Sequence, residues 1–315
     1  MHPLLYHDGQ LTVQTEANTR HVADKLAGWV GPAGEYAADA DVVLFAYQDP
    51  SAGPKALAFA AISGPPPLAR AAGPGALALA ASVGDLLPGG LEEPIRVGGL
   101  VLALERAERA RINGTLRRRG AVTELVAEEA FTLCRKYIAP SVAGSPDVVV
   151  GPVERDPIAL DDPWIGMVVA AADTTFLASV APDGMPDVAH RGGPAGFIAL
   201  DAAHASASWT EFVGDGVFKS AGNVRATGTA SLLLLDLGSG DALELTGRAA
   251  YENTLTRFQP REDPLVRMRD AFPEQGRMVL AIDRAARLRR LTHPRQRVAA
   301  SRVTSRDTPD EQAPR

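Results

Sequence analysis

Residues 181–200 read APDGMPDVAHRGGPAGFIAL: a Pro-Asp-Gly turn, a proline-led alternating run, the cluster His190-Arg191-Gly192-Gly193, and an apolar segment. With TTFLASV (174–180) in front of it, the turn joins two β-rich runs, which is a hairpin signal. A hairpin has no need of a basic pair followed by two glycines. The hairpin poses the question of fold, and the cluster inside it poses the question of function.

The same order occurs earlier in the chain. VVLFAYQDPSAGPKALAFAAISGPPPL (42–68) is again strand, Pro/Gly/Ser turn and strand, and its Gly64-Pro65 answers Gly193-Pro194. From Pro54 to Gly64 is 10 residues and from Pro186 to Gly193 is 7, so the first copy has drifted or carries a three-residue insertion. The simplest reading of GPPPL (64–68) is a rigid turn, and it lacks the basic pair of the second copy, so the first half is expected to be degenerate for cofactor binding, with one cofactor site per chain. A second echo is better spaced. GGLVLALERAERARINGTL (98–116) and GTASLLLLDLGSGDALELTGRA (228–249) each give a long apolar strand, a polar turn and a strand closing on INGT or LTGR. Two echoes in one order argue for duplication of a β-rich domain.

The linker composition of APSVAGSPDVVVGPVERDP (139–157) places the boundary there. A length of 315 residues suits two domains of roughly 150 each. The expected division is 1–150, 151–298 and a polar, disordered tail over 299–315. Many short strands with turn signals predict a mainly β fold, a small barrel in each half with flanking helices. Helices are predicted in TEANTRHVADKLAGWV (15–30), where Val22, Leu26, Trp29 and Val30 fall at helical spacing, and in DPWIGMVVAAA (162–172). A third is predicted at the end of the first half, in AVTELVAEEAFTLCRKYIAP (121–140).

Hydrophobic residues make up 46% and charged residues 22%, enough for ordinary cores. The formal charge of −6, with no free-standing basic block, argues against nucleic acid as a partner. Cys134 is the single cysteine, so no intrachain disulfide or thiol-bound metal is expected. The opening MHPLLYHDGQ lacks the basic and apolar regions of a signal peptide, and Asp173 breaks the apolar run after 167 well short of a membrane span. A cytoplasmic protein is the expectation. The six histidines show no metal-binding spacing, and neither G-x-S-x-G nor a P-loop is present. Any chemistry would therefore come from a cofactor.

Residues 181–200, followed by WTEFVGDGVFKSAGNVRATGTASLLLLDLGSGDALELTGRAA (209–250), resemble the pyridoxamine 5′-phosphate oxidase-like FMN-binding split barrels, in particular relatives with two barrels in one chain. The resemblance covers about 162–250 well and extends more weakly to YHDGQLTVQ (6–14) and CRKYI (134–138). It implies two tandem Greek-key split barrels with FMN in the groove between them, and a flavin-dependent oxidoreductase acting on a small organic substrate. A homodimer is a further expectation.

The FMN phosphate calls for an Arg fork, hydroxyls and close backbone N–H groups. Arg191 supplies the fork, and Gly192 and Gly193 would let the backbone approach. His190 adjoins Arg191 on the strand, so the two point to opposite faces. By resemblance Lys219, Ser220 and Asn223 line the phosphate, and Trp209 and Thr210 sit at the ring edge. CRKYI makes Lys136 and Tyr137 candidates beside the flavin, against the plainer account of a cation at a helix end. Where many relatives carry Asn-Arg, this chain has Asp215 and Gly216, and a carboxylate near a phosphate is unfavourable. Two alternatives belong to other classes. One is a haem-binding split barrel, with His190, His204 or His293 as axial ligand; the other is a non-catalytic scaffold that has lost its cofactor.

Overall fold

The computed structural model describes residues 4–27, 33–49, 53, 56–73, 75–80, 87, 93–132, 136–214, 216–254 and 272–298. Cys134, Trp29, Val30, Asp215 and the tail from 299 lie outside them.

The first sheet holds β1 (Val42–Gln48), β2 (Leu57–Ser63), β3 (Ala69–Gly73), β4 (Ala76–Leu79), β5 (Ile95–Ala103), β6 (Glu108–Arg119) and β7 (Val122–Thr132). Their order is β3-β4-β7-β6-β5-β1-β2. Between the halves come β8 (Ser141–Ala143), β9 (Val149–Gly151), which pairs with β2, and β10 (Glu154–Pro157). The second sheet holds β11 (Thr174–Val180), β12 (Pro186–Gly192), β13 (Ile198–Asp201), β14 (Ser206–Phe212), β15 (Thr229–Leu235), β16 (Ala242–Asn253) and β17 (Glu274–Arg289). Its order is β13-β14-β17-β16-β15-β11-β12, strand for strand that of the first, and β10 pairs with β17. A last strand, β18 (Arg295–Arg297), pairs back with β8.

The INGT/LTGR echo has a geometric cause. The β6–β7 register shifts between Asn113 and Gly114, and the β16–β17 register shifts between Thr246 and Gly247, so both glycines sit at the same bulge. A Cβ at Gly114 would overlap the Val126 carbonyl oxygen, and one at Gly247 the Ala281 carbonyl oxygen. Only glycine lets the partner strand come that close.

Strands 42–48 and 57–63 are apolar at nearly every position because both faces are buried. Val43, Phe45 and Tyr47 pack inside the first barrel with Ala58, Ala60 and Ile62. Their alternates Val42, Leu44, Ala46, Leu57, Phe59 and Ala61 pack with Phe176, Ala178, Val180, Val188 and Leu233 of the second half. Leu177, Leu232 and Leu234 then face the second barrel's own core. Strand periodicity thus distributes one run of residues between two cores.

Of the helix expected over 15–30, the described residues form α2 (Arg20–Ala27); a helix that was not expected, α1 (Asp8–Glu16), precedes it, and α3 (Ala33–Ala37) follows. His7 starts α1 with a capping box: its Nδ1 accepts from the Gly9 N–H, and the Gln10 side chain accepts from the His7 N–H. The helix expected over 162–172 is α4 (Pro163–Ala171), with Asp162 as its N-cap and Pro163 leading the first turn. A further helix, α5 (Lys219–Thr227), connects β14 to β15. The helix expected over 121–140 is not formed. Val122–Thr132 is a strand held between β6 and β4, so pairing on both sides overrides the helical propensity of its Glu and Ala residues. Lys136 and Tyr137 accordingly lie in a turn rather than at a helix end. Among the described residues no helix is long and apolar enough to cross a membrane.

Candidate functional site

Strand β12 is the edge of the second sheet, and its second residue, Asp187, lies against β5 of the first half. A Cβ on Gly98 would come within 2.7 Å of the Asp187 backbone, so glycine permits this close crossing. Asp187 is 2% exposed and accepts from Arg111 Nη1 (3.2 Å), Asn113 Nδ2 (2.9 Å) and Ser220 Oγ (3.2 Å). Asn113 Nδ2 also donates to Glu129 (3.1 Å), and Lys219 Nζ donates to the other Glu129 oxygen (2.6 Å). Three residues of β6 and β7 are thereby tied to three of β12 and α5. Burial alone would raise the Asp187 pKa, but the Arg111 and Lys219 charges and the Asn113 and Ser220 hydrogen bonds bring it below the ordinary range.

Beside this network lies a pocket of about 80 Å³. Its cations are Arg109 and Arg111 from β6, Arg191 from β12, and Lys219 at the start of α5. Arg191 is fixed in direction: Nε donates to Glu211 Oε1 (2.7 Å) and Nη1 to the His190 carbonyl (2.9 Å). The same Glu211 oxygen accepts from the Trp209 indole N–H (2.7 Å). Across the strand, the His190 ring meets Phe176 edge-on at 6.0 Å. Burial first, then the Arg109 and Arg191 charges, depress the His190 pKa well below the imidazole range, so its ring is neutral at pH 7. His190 Nε2 and Arg111 Nε are buried without a partner among the described residues.

Of the residues singled out in the sequence, His190, Arg191, Gly192, Thr210, Lys219 and Ser220 come together around this pocket. Gly193 is next to it, under the Phe197 and Phe212 rings, each of which a Cβ would approach to 2.7 Å. A Cβ on Gly192 would overlap the Tyr137 carbonyl oxygen. In this structure both glycines therefore serve packing within the chain. Trp209 is in the second core and reaches the site only through Glu211.

Asn223 is turned the other way, into the contact of α5 with α1. Its Oδ1 accepts from His7 Nε2 (2.8 Å) and Gln10 Nε2 (2.9 Å), and its Nδ2 donates to Ser179 (3.0 Å). Tyr137 is at the pocket rim, stacked on Phe272 at 5.4 Å and donating to the Val213 carbonyl. Gly216 lines the pocket with a φ of +74°. The other two haem candidates lie elsewhere: His204 pairs with Asp201 on an exposed turn, and His293 Nε2 contacts the Asp147 carbonyl (2.6 Å).

Arg109, Arg111, Glu129 and Glu211 were not legible as site residues. The only signal for the first two was alternation, Arg109-x-Arg111, which puts both side chains on one face of β6. Among the described residues no group of His, Cys, Asp or Glu is placed to hold a metal ion.

A larger cavity of about 590 Å³ shares Lys219 with the pocket, and Tyr6, His7, Glu129, Met185, Asp187 and Asn223 are among the residues that line it, so Asn223 faces this cavity and not the smaller pocket. The larger space has the volume usual for a drug-sized ligand, about 300–1,000 Å³.

No protein-family model and no curated protein matches the chain. Among solved structures it is similar to HupZ from Group A Streptococcus, at 13% identity and a TM-score of 0.30 over 40% of this chain and 93% of that one. It is similar to general stress protein 26 from Bacillus anthracis str. Sterne, at 14% identity and a TM-score of 0.28 over 42% and 95%. It is also similar to a pyridoxamine 5′-phosphate oxidase-related, FMN-binding protein from Nostoc punctiforme PCC 73102, at 12% identity and a TM-score of 0.31 over 44% and 89%. All three are likenesses of fold, and the chemistry of the site is read from its own residues.

Proposed function

We propose that the chain binds FMN through its phosphate in the pocket between β6, β12 and α5, and acts as an FMN-dependent oxidoreductase on a small organic substrate. The observation that carries this reading is the convergence of Arg109, Arg111, Arg191, Lys219 and the Ser220 hydroxyl on one small space. Arg111, Lys219 and Arg191 are held in place by Asp187, Glu129 and Glu211, beside a neutral imidazole. The buried, unpartnered Arg111 Nε and His190 Nε2 are the kind of groups that a bound anion satisfies.

Arg191, Arg111, Lys219 and Ser220 would hold the phosphate, and the adjoining 590 Å³ cavity offers room for a ring system. When bound, FMN supplies hydride transfer; the chain supplies binding, orientation and charge. The division near residue 150 into two duplicated barrels belongs to the same proposal. So does a site complete within one chain, because the first half provides Arg109 and Arg111 and a homodimer is not required.

The first test is the visible spectrum of the desalted protein, then an FMN fluorescence titration of the wild type and Arg191→Ala. Saturable binding is expected, weakened about 10- to 100-fold in Arg191→Ala, the worth of a charge-assisted hydrogen bond. A wild type that never quenches FMN fluorescence sinks the reading. The scaffold alternative has one observation in its favour: Arg191, Arg111 and Lys219 are each paired with a carboxylate of the chain, so the pocket stands without a ligand.

A further inference from the structure

The duplication gives the anion pocket a mate, and the strand registers identify its residues. From the bulge glycines, pairing runs Gly114, Val97, Tyr47, Ala58 in the first half and Gly247, Ala230, Ser179, Asp187 in the second. Asp187 therefore corresponds to Ala58, His190 to Ala61 and Arg191 to Ile62. On the facing strand Arg109 corresponds to Ala242 and Arg111 to Glu244. On these strands the mate has lost every cation of the pocket, and a carboxylate stands where Arg111 should be.

That carboxylate is already engaged. Glu244 Oε1 accepts from the Phe59 N–H (3.0 Å) and Oε2 from Arg155 Nε (3.1 Å), while Arg155 Nη2 donates to the Phe59 carbonyl (3.1 Å). A carboxylate oxygen and a backbone carbonyl thus accept two N–H groups along one edge of the guanidinium, a geometry that an ammonium cannot copy. Arg155 comes from β10, a strand outside the duplicated set, laid along β17 by the pairs from Glu154 to Pro157. It lines a cavity of about 310 Å³ together with Asp49, Leu57, Glu244, Thr246 and Arg284. The two carboxylates, Asp49 and Glu244, balance Arg155 and Arg284 there, and Arg155 is already hydrogen-bonded to Glu244 and Phe59, so an anion would find no excess of positive charge among these residues.

We propose that this mate cavity is a guanidinium site that the chain fills with its own Arg155, so that the duplicated barrels take one anionic ligand per chain and not two. The stoichiometry rests on the FMN reading of the first pocket; the guanidinium site does not.

Two measurements on the full chain test it. FMN titration at known protein concentration is expected to give one site per chain, weakened about 10- to 100-fold in Arg191→Ala and retained in Arg155→Ala. Thermal unfolding with ethylguanidinium chloride is expected to show a saturable upward shift of the midpoint for Arg155→Ala, absent in the wild type and in Arg155→Ala/Glu244→Gln. Arg155→Gln serves where Arg155→Ala fails to fold. Two FMN per chain overturns the proposal, as does loss of the single site in a folded Arg155→Ala chain. So does a folded Arg155 variant whose midpoint ethylguanidinium leaves unmoved. Absence of FMN binding altogether overturns the reading of the first pocket alone, and the guanidinium titration then decides the mate cavity by itself.

Discussion

His190 and Asp187, three residues apart on β12, both have pKa values below the ordinary range, which keeps the imidazole neutral and the carboxylate charged, for reasons visible in their surroundings. His190 is buried near two guanidinium groups and is held neutral. An unfolded histidine takes up its proton near pH 6.5, so below about that pH the unfolded chain binds a proton that the folded chain refuses. Stability is expected to fall there by about 1.4 kcal/mol per pH unit from this group. His190→Asn should remove that slope, read by urea unfolding at a series of pH values. Asp187 has its pKa depressed, so its contribution is present above the unfolded value of about 3.9 and disappears as pH falls through the lower folded one. Asp187→Asn leaves Arg111 buried without its counter-charge and is expected to cost about 3–5 kcal/mol.

At the scale of elements, the two bulges and the α1–α5 contact depend on glycine. Gly247→Ala would push a methyl group into the Ala281 carbonyl and should destabilise the chain by about 1–3 kcal/mol, with Gly114→Ala expected to behave alike at the matching bulge. Circular dichroism melts of the two variants check this. Gly222 lies where a Cβ would overlap Gln10, which is how an N-terminal helix comes to pack on a helix of the second half. The bulges were legible as the INGT/LTGR echo because the same backbone constraint recurs at the same register. The α1 contact was not, since nothing local in YHDGQLTVQ says which half it will join. Strand β7 was misread for a related reason: its Glu- and Ala-rich run favours a helix by itself and becomes a strand only between its neighbours.

Across the whole molecule, a shared core joins the halves, with a polar network at Asp187 and another at Glu244. Phe59 is fully buried in the shared core, and its backbone holds both Glu244 and Arg155. Phe59→Ala is expected to cost about 3–5 kcal/mol. Because the halves share this core, wild-type unfolding should be a single transition by fluorescence and circular dichroism together. Two separated transitions would show that the halves are energetically independent.

Sequence alone determined the mainly β class and the duplication, which are written in periodicity and repeat spacing, and it singled out His190 and Arg191 by motif and Lys219 and Ser220 through the family resemblance. Only the tertiary structure decided that Arg109, Arg111 and Glu129 of the first half complete that cluster, and that Asn223 and Trp209 turn away from it. The physical reason is that packing two sheets face to face brings together residues about 75 to 110 positions apart, such as Asn113 with Asp187 and Arg111 with Lys219. Their charges are compensated across that contact, and no local pattern records which partner a buried charge will find.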